Sequence, residues 1–447
     1  MTAHIARSAL SILILVIPGF WSGSQAQGEL GWQTLPNAPV TSRHNDVYFV
    51  TPDLGWIVNG AGEIHRTRDG GASWELQFSQ GNAHFRSVGF VDSMNGWAGN
   101  VGLGEFGTTD PVVLRQTRDG GETWQPVAGF QGPNPVGICG MDVVNDSVVV
   151  AVGRVRGPAV FVRTTDRGET WTSRDMSSLA AGLIDVHFFS PDTGFAVGLT
   201  NSNHSQSSGV ILFTSDGGQT WEKRFTSTRT GEWFWKMSFP SRRVGYVSLQ
   251  RNNETPIFFV KTTDAGETWD ERIFSGVYYF VQGIGFIDEN VGWIGGNSSF
   301  PTYETRDGGV TWDPAGFGTR MNRVRFLGDT LAYAVGSTVY KYRRMSQIEP
   351  ELPGDDARIS LEQNHPNPFG LQTAFIYELS EPANVLVRIT DAAGRLIWAF
   401  SKPESAGRHT VIWDGRDDSG AKVSAGPYIY EVATRRASRA RVMHLVR

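Results

Sequence analysis

The segment T-R-D-G-G-E-T-W at residues 117–124 occurs in six closely related copies along the chain. The copies lie at residues 67–74, 117–124, 165–171, 214–221, 263–269 and 305–312. Their aspartates are 43–50 residues apart, and self-similarity at a nearly constant period of this size is typical of repeat architectures. These segments therefore decide the fold.

A second element precedes each copy and alternates apolar with other residues before a turn that ends in glycine and an aromatic residue. It reads V-Y-F-V-T-P-D-L-G-W at 47–56, with counterparts at 88–97, 186–195, 237–246 and 284–293 and degenerate forms at 141–151 and 324–333. Alternation with period two, broken by a turn, predicts a β-hairpin. Two strands before the octad and two around it make four strands per unit, which is a β-propeller blade.

The seventh unit has no octad, because V-G-S-T-V-Y-K-Y at 335–342 continues directly into Arg343 and Arg344. The stretch G-W-Q-T-L-P at 31–36 looks like the strand that normally follows an octad. We therefore expect the first strand to complete the last blade and to close the ring. The predicted fold is all-β: a seven-bladed β-propeller whose hairpins carry the octads.

The octads are Asp-boxes, also called bacterial neuraminidase repeats, and residues 31–343 resemble Asp-box propellers throughout. The short blades and the G-W strands are most similar to the photosystem II stability/assembly factor family. In each box the aspartate can accept hydrogen bonds from turn amides, and the tryptophan can pack on the neighbouring sheet. We interpret these residues as structural, in the pairs Asp69 and Trp74, Asp119 and Trp124, Asp166 and Trp171, Asp216 and Trp221, Asp264 and Trp269, and Asp307 and Trp312.

The N-terminal segment has the features of an export signal. His4 and Arg7 precede the apolar run at 9–17, and Ser24-Gln25-Ala26 offers a small-residue cleavage site. We expect a signal peptide at 1–26 and a propeller at 27–343. The apolar run is too short to cross a bilayer, and no later segment has the length of a membrane span, so we expect none after signal cleavage.

The composition changes again after the propeller. Residues 344–358 form an acidic, proline-bearing linker, and 359–447 contain alternating strands with turn glycines, the pattern of a small Ig-like β-sandwich. This stretch closely resembles the C-terminal sorting domain of type IX secretion cargo, which is related to the Ig-like domain of flagellar hook-capping proteins. The resemblance implies Sec export followed by passage of the outer membrane, with the secretion machinery as a partner. A plain adhesion-like Ig module stays open as the alternative.

Composition and motifs exclude several function classes. The net charge of −5 is too balanced for a nucleic-acid coat, and the single Cys139 cannot form an intramolecular disulfide. The nine histidines are scattered, so we expect no metal site, and the G-x-G-x-x-G at 102–107 is not followed by the helix that a dinucleotide site needs. We expect no cofactor and assign no catalytic residue.

One rim of the propeller is the remaining candidate surface. In a propeller the innermost strands begin around the central channel, so residues just before each apolar run share one rim. Arginine and aromatic residues occur there, and both types are enriched at recognition hot spots. The candidate binding residues are Arg43, Arg86, Trp235, Lys236, Gln282 and Arg323.

From these patterns we expect a secreted or cell-surface, non-catalytic propeller that binds an unidentified protein or glycan and passes through the periplasm. A glycoside hydrolase of sialidase or xyloglucanase type is one alternative, which rests only on the analogy of the Asp-boxes. Sialidases carry an arginine-bearing segment near the N-terminus, and this sequence lacks it. A glycosidase also needs two nearby carboxylates. An assembly factor of an envelope complex is the other alternative, by resemblance to the photosystem factors.

Overall fold

The computed structural model describes residues 30–252, 254–297, 301–344, 359–391, 395–417, 420–434 and 438–446. The chain divides into two compact units, Met1–Gln347 and Ile348–Arg447. The predicted signal peptide and residues 345–358 of the predicted linker lie outside the described residues. Within the described part, no helix is long and apolar enough to cross a membrane.

The first unit consists of seven four-stranded antiparallel sheets, which we call blades 1 to 7. Blade 1 contains β2 (His44–Phe49), β3 (Gly55–Asn59), β4 (Glu63–Thr67) and β5 (Glu75–Ser79). Blade 2 contains β6 (Phe85–Phe90), β7 (Gly96–Asn100), β8 (Leu114–Thr117) and β9 (Gln125–Pro126). Blade 3 contains β10 (Gly140–Val143), β11 (Val149–Gly153), β12 (Val160–Thr164) and β13 (Thr172–Asp175). Blade 4 contains β14 (Gly182–Phe188), β15 (Gly194–Leu199), β16 (Gly209–Thr214) and β17 (Glu222–Thr226).

The remaining blades follow the same order. Blade 5 contains β18 (Glu232–Ser238), β19 (Gly245–Arg251), β20 (Ile257–Thr262) and β21 (Asp270–Ser275). Blade 6 contains β22 (Val281–Phe286), β23 (Gly292–Gly296), β24 (Tyr303–Thr305) and β25 (Asp313–Pro314). Blade 7 contains β26 (Arg323–Phe326), β27 (Ala332–Val335), β28 (Val339–Arg344) and, as its outer strand, β1 (Leu30–Thr34). Two short 3-10 helices, Glu105–Gly107 and His204–Gln206, lie in connecting loops.

Apolar side chains from each blade pack on the next blade around the ring. Trp97 of blade 2, for example, shares a buried core with Met141 of blade 3, and Trp293 of blade 6 shares one with Ala334 of blade 7. Tyr333 of blade 7 packs on Phe49 of blade 1 with a ring separation of 3.6 Å. The ring is therefore closed by packing as well as by strand pairing.

The predicted closing strand is present. β1 pairs with β28 in antiparallel register, with Trp32 opposite Tyr342 and Thr34 opposite Tyr340. The indole of Trp32 also stacks on Phe317 at 4.5 Å. The last blade is thus built from both ends of the propeller sequence, as the missing octad of the seventh unit predicts.

The second unit is a two-sheet sandwich. One sheet has the order β29 (Ile359–Leu361), β30 (Thr373–Leu379) and β33 (Gly407–Trp413). The other has the order β32 (Leu396–Glu404), β31 (Ala383–Asp391), β34 (Gly426–Ala433) and β35 (Ser438–Leu445). Alternate residues of both sheets, among them Phe375 and Tyr430, face a single buried core. The all-β prediction and the small C-terminal sandwich are confirmed.

Candidate functional site

Each Asp-box is a turn between the third and fourth strands of a blade, held together by one repeated set of hydrogen bonds. In the first box Asp69 accepts from the Thr67 hydroxyl at 2.8 Å and from the Ser73 amide at 2.8 Å. The Gly71 amide donates to Thr67 Oγ1, and the Ser73 hydroxyl donates to the second oxygen of Asp69. The carboxylate is thus occupied by its own turn.

The other five boxes repeat these contacts. The hydroxyl and amide of Thr268 lower the pKa of Asp264 to about 2, so this carboxylate is ionised at neutral pH. Each box tryptophan belongs to the core between its own blade and the preceding one. This geometry is that of a structural turn.

The boxes lie at one end of the blades, and the starts of the innermost strands lie at the other. Because strands alternate in direction, the loop after the third strand shares an end with the loop after the first strand. Gly120 of the second box accordingly donates to Met94 O in that first loop, at 2.9 Å. We call the opposite end, where the innermost strands begin, the entrance face.

The connections between the second and third strands of a blade lie at the entrance face. They are longest in blades 2 to 6, at residues 101–113, 154–159, 200–208, 252–256 and 297–302, of which 253 and 298–300 lie outside the described residues. In blades 1 and 7 the corresponding connections are short, at 60–62 and 336–338. Five successive blades therefore build up one side of this face around the mouth of the channel.

These loops surround a pocket of about 440 Å³. Its lining combines arginine and aromatic side chains with amides and contains no aspartate or glutamate among the described residues. The lining residues are Arg43, Arg86, Phe106, Arg156, Ser202, Asn203, His204, Trp233, Trp235, Gln250, Asn252, Phe280, Gln282 and Asn297. Such a surface favours a ligand with anionic and apolar groups.

Four of the six predicted rim residues line this pocket. Arg43 donates to the side-chain oxygen of Gln282, whose amide donates to Gln250 at 3.1 Å. The guanidinium of Arg86 lies over the Trp235 ring, 5.1 Å from its centroid. Burial, together with the charge of Arg86, lowers the pKa of Arg43 to about 9.

The other two predicted rim residues, Lys236 and Arg323, are buried below the pocket and are absent from its lining. Arg323 donates twice to Asp185, at 2.6 and 2.9 Å, and its Nε lies 3.2 Å from Asp46. Lys236 Nζ lies 3.5 Å from the same Asp185. These cations neutralise carboxylates inside the channel.

Sequence reasoning missed the parts of the pocket that come from irregular loops. Phe106 and Arg156 are on the 101–113 and 154–159 loops, and His204 is on the 200–208 loop. The only signal in the sequence is the G-x-G-x-x-G insertion at 102–107, which is not followed by the helix that a dinucleotide site needs. Among the described residues, no group of three histidine, cysteine or acidic side chains is placed to hold a metal.

Comparison with known proteins agrees with this architecture. Residues 25–133 match the family described as photosynthesis system II assembly factor YCF48, and residues 369–438 match the FlgD Ig-like domain. The propeller resembles the Ycf48 assembly factors. The photosystem II stability/assembly factor of Oryza sativa subsp. japonica is 23% identical over 334 residues, which cover 65% of this chain and 76% of that protein.

Solved structures show the same fold. A Ycf48 structure described as bound to a D1 peptide has a TM-score of 0.53 at 20% identity, covering 71% of this chain and 97% of that one. An ancestral GH74 enzyme has a TM-score of 0.52 at 11% identity, covering 92% of this chain and 63% of that one. The likeness to Ycf48 and to GH74 propellers is thus a likeness of architecture.

Proposed function

We propose that this protein is an exported, non-catalytic propeller that binds a segment of a partner protein in the pocket of the entrance face. The observation that carries the proposal is the convergence of five insertions, three arginines and several aromatic side chains on that one pocket. Arginine and aromatic residues supply much of the binding energy of protein interfaces. The resemblance to a Ycf48 protein that binds a D1 peptide supports a peptide segment as the ligand.

The same pocket favours binding over glycoside hydrolysis. A glycosidase needs an acid and a second carboxylate on either side of the scissile bond. The described lining supplies neither. Glu105, which contacts the lining, is paired with Arg156 at 2.7 Å, and Asp46 and Asp185 of the channel are engaged by Arg323. A partner-binding role in envelope assembly is therefore the better fit to this site.

The C-terminal sandwich is proposed to direct the protein across the outer membrane to the cell surface. The support is its match to the FlgD Ig-like domain together with the resemblance of its sequence to type IX sorting domains. The propeller and the sandwich are separate compact units, which suits a division between binding and transport.

The binding proposal is tested by affinity capture from envelopes of the source organism, followed by titration of the captured partner's peptides. Arg156→Glu and Phe106→Ser change two exposed side chains of the pocket mouth. We expect each to weaken peptide binding at least tenfold. Arg68→Glu, an exposed charge reversal in the first Asp-box at the opposite end, should leave binding within twofold.

Equal binding by all three variants would refute the pocket as the binding site. Turnover of a polysaccharide panel at enzymatic rates would refute a non-catalytic role, and capture of a glycan in place of a protein would refute a peptide ligand. The transport proposal has a separate test, in which cells expressing the chain with and without residues 345–447 are fractionated. Equal delivery of both forms to the surface would refute the sorting role.

A further inference from the structure

Arg86 is a buried cation that lacks an anionic partner. It lies on β6, is 1% exposed, and forms no ion pair with any described carboxylate. Its single hydrogen bond to a described residue is a long one, from Nη1 to Asn45 Oδ1 at 3.5 Å. Moving a guanidinium out of water without a compensating partner costs several kcal/mol. A hydrogen-bond acceptor next to Arg86 would therefore stabilise the buried charge.

Two aromatic rings restrict where that acceptor can lie. The Trp235 ring centroid is 5.1 Å from the guanidinium carbon, and the Phe106 centroid is 5.8 Å from it. Cation–π contact stabilises the charge but leaves the N–H groups in the guanidinium plane unsatisfied. Nε and Nη2, the two donors on one edge of Arg86, are buried without a hydrogen-bond partner in the part of the chain that the structure describes. That edge is the fork that binds an anion with two hydrogen bonds.

Carboxylates around the pocket are already paired with other cations. The lining holds Arg43 and Arg156 beside Arg86 and no described carboxylate, and Glu105, which precedes Phe106, is engaged by Arg156 at 2.7 Å. Trp233 Nε1 in the same lining is another buried donor with no partner among the described residues. Beneath the pocket, burial and the charge of Arg323, with a contribution from Arg86, lower the pKa of Lys236 to about 8. Asp185, which lies next to Lys236, already accepts two hydrogen bonds from Arg323.

We propose that the floor of the pocket is a binding site for one small anionic group, held in the plane of the Arg86 guanidinium by Nε and Nη2. The group has one of two sources: a free anion such as chloride, or a carboxylate that a bound partner inserts. The proposal does not depend on the partner proposed above, because both donors belong to this chain. Neighbouring side chains cover these two nitrogens, so the anion binds as those side chains move aside.

The experiment titrates the purified protein with chloride in a sodium isethionate background of constant ionic strength, with the ³⁵Cl NMR linewidth as the readout. Acetate is then added as the probe for a carboxylate. We expect saturable binding of chloride or acetate that is weakened at least tenfold in Arg86→Met. Arg115→Met is the matched control, because Arg115 is also buried and lies over an aromatic ring, but it is paired with Asp110 at 2.9 Å. This control should bind within twofold of the unmodified protein.

Comparing the two anions separates the two sources. Tighter binding of chloride assigns the site to a solvent anion, and acetate binding at least tenfold tighter assigns it to a partner's carboxylate. If Arg86→Met does not fold, Arg86→Lys keeps the charge but removes the two-donor edge, and the same tenfold loss is expected. The absence of saturable binding of both anions, or full binding by a folded Arg86 variant, overturns the proposal.

Discussion

Asp185 and Arg323 are joined by two hydrogen bonds across the propeller channel, at 2.6 and 2.9 Å, although 138 positions separate them in the sequence. Asp185 lies on β14 of blade 4 and Arg323 on β26 of blade 7, and the same guanidinium reaches Asp46 of blade 1. Burial alone would raise the pKa of Asp185. The charges of Arg323 and Lys236 outweigh it and hold that pKa well below its usual range. With Lys236 on β18 of blade 5, four blades are thus linked through one buried ionic cluster.

Lys236 in this cluster makes stability depend on pH. Burial and Arg323 lower its pKa from 10.5 to about 8, so between these values the unfolded chain binds more protons than the folded one. The free energy of unfolding contributed by Lys236 therefore rises as the pH increases from about 8 to 10.5. Relative to Lys236→Met, the natural protein should gain about 2–3 kcal/mol over this window in urea melts.

The comparison with Lys236→Met cancels the other groups that titrate in this range, such as Arg43 and the tyrosines. Asp185, Arg323, Arg86 and Cys139 are the groups whose charges act on Lys236, and all are retained in the variant. An equal pH dependence of the two proteins would show that folding does not lower the pKa of Lys236.

Replacing a box tryptophan should open a cavity between blades. Trp171 is 2% exposed and meets Trp97 of blade 2 edge-to-face at 5.9 Å. Trp171→Ala should lower the free energy of unfolding by about 3–5 kcal/mol in denaturant melts. Trp171→Phe keeps an aromatic ring and should lower the free energy of unfolding clearly less than Trp171→Ala does. A loss under about 1 kcal/mol for the alanine variant would show that this tryptophan is not part of the core.

Two of the six boxes carry avoidable backbone strain, at Arg167, with a φ of 61°, and at Ala265. Ala265 has a φ of 63°, at the position where Gly308 of the sixth box has a φ of 71°. An alanine in this left-handed region is strained, whereas glycine adopts it freely. Ala265→Gly should raise stability by about 0.5–1 kcal/mol, and Gly308→Ala should lower it by at least as much. In thermal melts we expect Ala265→Gly to raise the melting temperature and Gly308→Ala to lower it. A loss of stability in Ala265→Gly would contradict the prediction.

Local and periodic features could be predicted from the sequence, and contacts between distant blades could not. The octads indicated the turns around Asp69 and its counterparts because all of their hydrogen-bonding groups lie within a few residues of one another. Trp32 was recognisable as part of the closing strand because the last unit lacked its own fourth strand. By contrast, Arg323 was expected on the rim and lies buried, since its partner Asp185 comes from another blade. Phe106 belongs to a loop without periodicity.

Closure of the ring by β1 should be needed for stability. Deleting residues 27–37 removes the strand that pairs with β28 and leaves that edge unprotected, and exposed strand edges promote aggregation. We expect the shortened protein to melt at a lower temperature or to aggregate on heating. Trp32→Ala keeps the backbone pairing and removes the stacking on Phe317. Its melting temperature should lie between those of the full-length protein and the deletion variant. An unchanged melting curve of the deletion variant would refute the shared blade.

The two compact units should fold independently of each other. Each has its own buried core: the sandwich core contains Phe375 and Tyr430, and the last inter-blade core of the propeller is completed by Tyr342 at the end of the ring. All four strands of blade 7 lie within residues 30–344. Removing residues 345–447 therefore takes no strand from any blade. The truncated protein should therefore keep its β-sheet circular dichroism spectrum and the melting transition of the propeller.

A fragment of residues 359–447 should show its own cooperative transition, because a core of this kind is what an independent domain requires. Loss of the propeller's transition on truncation would mean that the sandwich stabilises it, and the division into two units would then not reflect two folding units.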